Sequence, residues 1–138
     1  MKIAVLGTGM AGKTVAGKLV SLGHDAAPGT RDVEATLART EPGQMGDPPV
    51  SAWLKDRAAA KVKTFADATQ DAELVVVATK GDATIAVLEQ AGAANLAGKV
   101  VIDISNPLDF SKGFPPSLFV SNTNSLGEQV QRAFPEAK

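Results

Sequence analysis

Cysteine is absent from the 138 residues, histidine occurs once, and aromatic side chains make up only 4% of the chain. Without thiolates there is no zinc set to build around His24, and a lone histidine at a turn reads as structural rather than catalytic. An excess of one charge is lacking too. The formal net charge of −1 gives no broad basic surface for nucleic acid or an anionic membrane. No apolar run approaches bilayer length, and the first one is only a strand long. These absences describe a soluble, cytoplasmic chain with no metal, nucleic-acid or membrane partner. The 44% hydrophobic content suffices for one ordinary core, so residues 1–138 read as a single domain.

What is present is concentrated at the start. The run from Lys2 to Leu6 is apolar enough for a buried parallel strand, breaks at Gly7, and passes into apolar residues at helical spacing. Two nucleotide motifs share these letters. Gly7, Gly9 and Gly12 fit the dinucleotide fingerprint: the first permits the turn, the second lets backbone approach a pyrophosphate, and the third lets helix pack on strand. Gly7, Gly12, Lys13 and Thr14 also fit the phosphate loop of ATP- and GTP-hydrolysing proteins, and the strand ending at Asp103 could imitate the one whose aspartate holds magnesium. In either case amides at a helix N-terminus would hold an anion. The dinucleotide reading leaves Lys13 on the outer surface of the helix and makes Asp103 a structural strand residue.

The spacing predicts a helix from Met10 to Leu22, with Gly12, Val15, Ala16, Leu19 and Leu22 toward the sheet, Lys13 and Lys18 away from it, and Gly23 as a left-handed stop. A second strand follows near Ala26 to Gly29, and a short helix over Val33 to Thr40. Glycine and proline make Glu41 to Pro49 a surface excursion, after which Ser51 caps a helix reaching Ala60 and Trp53 serves as a packing residue. Strands are expected at Val62 to Phe65, Leu74 to Ala78 and Val100 to Ile104, with Asp82 capping a helix through Gln90. Asp109 to Pro116 reads as a loop, Leu118 to Val120 as a short extended piece, and Ser125 to Glu128 as a capping box opening a helix to Phe134. Alternating strands and helices imply a three-layer, doubly wound, mainly parallel α/β sheet with ligand at its carboxyl ends.

The end of the second strand discriminates between cofactors. An NAD site places a carboxylate there for the ribose 2′-hydroxyl, whereas this chain has Gly29-Thr30-Arg31, a hydroxyl and a planar cation suited to phosphate oxygens. NADP is preferred over NAD. Asp32 offers the competing reading, a surface ion pair with Arg31.

Residues 1–10, Gly29-Thr30-Arg31, Leu74 to Thr79 and Val101 to Leu108 together resemble the NADP oxidoreductase, coenzyme F-420-dependent family. The resemblance implies a Rossmann fold and hydride transfer between NADP(H) and a deazaflavin, coenzyme F-420, as small-molecule redox partner. It assigns Thr8, Gly9, Met10 and Ala11 to the pyrophosphate turn beside Gly7 and Gly12, Thr30 and Arg31 to the 2′-phosphate, and Ala78, Thr79 and Asn106 to the nicotinamide side. Lys80 stands where the family's loop is expected to carry proline, and puts a cation at that end. Sequences of the family continue past Lys138 into another strand and a substrate-pocket region, so the resemblance implies that this is the nucleotide-binding portion, with the usual C-terminal part absent. No catalytic residue is assigned, because cofactor chemistry can proceed with the protein only aligning two rings. The other reading is a noncatalytic NADP-binding module. A fifth strand with an open edge also predicts homodimerisation.

Overall fold

The structure, a computed structural model, describes residues 1–138. Strands β1 (Lys2–Leu6), β2 (Asp25–Thr30), β3 (Lys63–Thr64), β4 (Leu74–Val77) and β5 (Val100–Asp103) form one parallel sheet in the order β3-β2-β1-β4-β5. The chain moves outward from β1 in one direction and then in the other. Such a reversal leaves a crevice at the carboxyl ends of β1 and β4. Register places Leu6 opposite Gly29 on one side and Val77 on the other, so the three central strands end together.

Alternation along the strands feeds two apolar layers. Ala4, Leu6, Val75 and Val77 pack with Phe65 and Ala68 of α4 (Phe65–Gln70), with Val87 and Leu88 of α5 (Thr84–Ala91), and with Val130 of α7 (Leu126–Ala133). On the opposite face, Ile3, Val5 and Val76 meet Ala16 of α1 (Met10–Ser21) and Trp53 of α3 (Val50–Trp53). Trp53 is therefore a packing residue, as expected, and the Arg57 guanidinium lies 5.2 Å from its ring centroid. None of the helices is long and apolar enough to cross a membrane.

The predicted sheet face of α1 needs two corrections. Leu22 is 59% exposed, because the helix has ended at Ser21 and the chain is already turning toward Gly23, at φ +83°. Lys13 is only 5% exposed, although it points away from the sheet. It is covered by Asp47 and Pro48 of the 41–49 segment, which is exposed at the surface as expected but is fastened to α1 at this point.

Shorter elements depart from the expectation for local reasons. Asp32 caps α2 (Val33–Ala38) by accepting the Ala35 amide at 2.9 Å and is not paired with Arg31. The helix expected over Ser51 to Ala60 is α3 plus one 3₁₀ turn, Leu54–Asp56, and the Ser51 hydroxyl donates to the Arg39 carbonyl instead of capping. Thr64 accepts the Asp67 amide at 3.1 Å and so converts Phe65 from strand to first helical residue. Asp82 lies in a 3₁₀ turn, Gly81–Ala83, and caps nothing; a short α6 (Ala93–Leu96) follows α5. Ser125 does cap α7, accepting the Glu128 amide at 3.1 Å. Leu108–Asp109 and Ser117–Leu118 form a small antiparallel ribbon, β6 and β7.

The outer side of β5 is partly occupied. Lys138 donates its amide to the Lys99 carbonyl at 2.9 Å and accepts from the Val101 amide at 2.7 Å, which is parallel pairing alongside the start of the strand. Beyond Val101 no further strand joins the sheet.

Candidate functional site

The site begins where β1 turns into α1. Gly7 has φ +121°, and a Cβ there would run into the Ala78 carbonyl, so this turn lies against the end of β4. A Cβ at Gly12 would strike the carbonyl of Gly7. At Gly9 nothing lies within 4 Å of where a Cβ would be. The three glycines thus differ in their surroundings: Gly7 makes a tight turn, Gly9 faces open space and Gly12 packs closely on the strand end. No side chain caps α1, and the first amide bonded back is that of Lys13, to Gly9. The amides of Met10, Ala11 and Gly12 make no backbone hydrogen bond within the helix, at the end where a negative charge is favoured.

A groove of about 560 Å³ opens in front of this turn. Gly7, Thr8, Gly9, Met10 and Ala11 line one side, Ala78, Thr79 and Lys80 an end, and Thr36 and Arg39 the rim beside α2. Thr30 and Arg31 are not on its wall. The Thr30 hydroxyl is buried and exchanges a 2.7 Å hydrogen bond with Thr36, while Arg31 is exposed where β2 ends. Thr36 and Arg39 were not singled out from sequence. Their signal was available: they lie three residues apart, one helical step, just after the end of β2.

A second cavity, of about 860 Å³, lies beyond Lys80 at the ends of β4 and β5. Ser105 and Asn106 line it together with Ile104, Leu108, Phe110 and Phe119, so it is more aromatic than the groove. Its two flanking loops are tied together. A Cβ at Gly81 would collide with the Asn106 carbonyl, and Thr84 Oγ1 lies 2.9 Å from Ser105 Oγ, which in turn donates to Asp103 Oδ1 at 2.6 Å. Asp103 also accepts the Ser105 amide at 2.9 Å and thereby braces the loop after β5. Ala11, Gln44, Met45, Thr79 and Lys80 border both spaces, which therefore meet.

Lys13 takes no part in the phosphate turn. Its ammonium pairs with the Asp47 carboxylate and donates to the Pro48 carbonyl. The hydrogen bond from Lys13 to the Asp47 carboxylate, together with the positive charge, holds the Asp47 carboxyl below the usual carboxylate range. Thr14 donates its hydroxyl to the Met10 carbonyl at 2.8 Å. Both residues that an ATP loop would need are engaged elsewhere.

A family model described as NADP oxidoreductase coenzyme F420-dependent matches residues 2–107. Among solved structures, a protein from Arthrobacter sp. FB24 assigned as an F420-dependent NADP-reductase is 57% identical, with a TM-score of 0.92 over 100% of this chain and 60% of its own. GDP-mannose dehydrogenase from Pseudomonas aeruginosa matches at 15% identity and TM-score 0.63, over 99% of this chain and 33% of its own. An imine reductase from Streptomyces aurantiacus matches at 22% identity and TM-score 0.55, over 78% and 33%. The last two likenesses concern the fold alone. Comparison with curated proteins returned no match.

Proposed function

Because the chain belongs to the NADP oxidoreductase coenzyme F420-dependent family, we propose that it binds NADP(H) in the groove and transfers hydride between the nicotinamide and a deazaflavin, coenzyme F-420 or a similarly flat redox partner, in the second cavity. The observation that carries this reading is the meeting of the two spaces at Thr79 and Lys80, directly beyond an uncapped helix N-terminus. The pyrophosphate lies against the amides of Met10, Ala11 and Gly12. The 2′-phosphate would take its cations from Arg39 on the groove lining and from Arg31, exposed just past the end of β2. Ala78, Thr79 and Asn106 flank the nicotinamide. Bound NADP(H) would supply or accept the hydride, and the chain's own residues would align the rings and exclude water. The reading includes a second copy of the chain, associated through β5.

Parallel calorimetric titrations with NADPH and NADH test the nucleotide assignment. Tighter binding of NADPH is expected, with the advantage reduced by about 1.5–3 kcal/mol in Arg31→Ala or Arg39→Ala, the worth of a hydrogen bond to a charged group. Equal or absent binding of the two would overturn it. Deazaflavin reduction by NADPH then separates an enzyme from a noncatalytic NADP-binding module, which would keep nucleotide affinity and show no turnover.

A further inference from the structure

The segment between α2 and α3 holds the one ion pair in the structure, and it holds it where a surface excursion has no need of one. Residues 43–47 close on themselves: the Gly43 amide donates to the Asp47 carbonyl at 2.8 Å, and the Gly46 amide donates to the Gly43 carbonyl at 2.9 Å. A Cβ at Gly43 would collide with the Asp47 carboxylate, so this carboxylate is packed against backbone on one side. Its other side faces Lys13. The two side chains are only 6% and 12% exposed. An ammonium is withdrawn from water to this extent only when it is paired and hydrogen-bonded, and such a pair is better at fixing an arrangement than at adding stability.

What this anchoring fixes is the tip of the turn. Gln44 and Met45 border both the groove and the second cavity, yet Met45 is 74% exposed and has no core to fill. An unbranched thioether conforms readily to a flat ring face. We propose that the Gly43–Asp47 turn, locked to α1 through Lys13, is a fixed wall over the junction of the two spaces, with Met45 and Gln44 as the residues that seat the nicotinamide against its redox partner. This rests on the hydride-transfer reading above. Lys13 and Asp47 are positioning residues, acting through the turn.

The test compares the unaltered chain with Met45→Gly, which removes the exposed tip, and Asp47→Asn, which releases the lock. In the free protein, hydrogen exchange at the Gly43 and Gly46 amides is expected to rise several-fold in Asp47→Asn and to stay level in Met45→Gly. With NADPH bound, acrylamide quenching of nicotinamide fluorescence should rise several-fold in both variants. In Met45→Gly, kcat with the deazaflavin should fall by about tenfold through misalignment, with the melting temperature unchanged. Unchanged quenching in both variants, in a protein that binds NADPH, overturns the proposal. A chain that binds no NADPH defeats the hydride-transfer reading, and exchange in Asp47→Asn then still judges the lock: unchanged exchange would overturn that as well.

Discussion

Adding a Cβ at Gly12 drives it into the Gly7 carbonyl, whereas adding one at Gly9 meets nothing within 4 Å. Gly9 also has φ −74°, which any residue adopts. Gly12→Ala must therefore shift helix against turn, an overpacking cost of about 1–3 kcal/mol that a thermal melt will show as a lower midpoint. Gly9→Ala should melt like the unaltered protein and, on the proposed function, bind NADPH more weakly, since its methyl would stand where a pyrophosphate is proposed to approach. Loss of stability in Gly9→Ala, or full affinity, would contradict this division. The turn at Gly7 and the close approach at Gly12 were legible in the sequence because the positive φ of the one and the contact of the other with the Gly7 carbonyl are local to one stretch of backbone. The burial of Lys13 was not legible. The Pro48 carbonyl that Lys13 reaches is 35 residues away, and no periodicity in α1 reports how the intervening chain folds back.

Among elements, the legible ones were those long enough to show a period. β1, α1, β4 and α7 fall close to their expected places, and α5 follows the predicted region without its predicted cap. The elements that were missed or misplaced are two to four residues long, α3, α6, β6 and β7, while β3 lies inside its expected span but is shortened. Over so few residues a cap such as Thr64, or a proline such as Pro49 ahead of α3, outweighs the apolar pattern. The turn at residues 43–47 belongs to this class, and its attachment is sensitive to acid. Asp47 titrates below the ordinary carboxylate value in the fold, so its pairing stabilises the fold fully above that ordinary value and is lost as the pH falls through the lowered folded one. The melting difference between the unaltered chain and Asp47→Asn should therefore be constant near neutrality and shrink below about pH 4. A difference that grows with acid would contradict the pairing.

For the whole molecule, strand order mattered more than any single element. An alternating pattern of strands and helices indicated a parallel sheet, and the order β3-β2-β1-β4-β5 realises it with the groove at the reversal. The ends of the sheet were harder to foresee, because edge pairing depends on contacts distant in sequence. Lys138 shields the start of β5, while Val100, Ile102 and Ile104 remain 48%, 45% and 42% exposed on one side of it. Light scattering after size exclusion is expected to give a dimer mass that Ile102→Glu returns to the monomer. A strict monomer for the unaltered chain removes self-association from the proposed function.

Lys80 is the one lysine bordering either space, and it is exposed, while Lys13 is buried in its ion pair. With no cysteine anywhere in the chain, covalent probes built for thiols have nothing to capture. An amine-directed reagent carried by a nucleotide or ring-shaped scaffold would instead find a single address, at the point where the two compartments join.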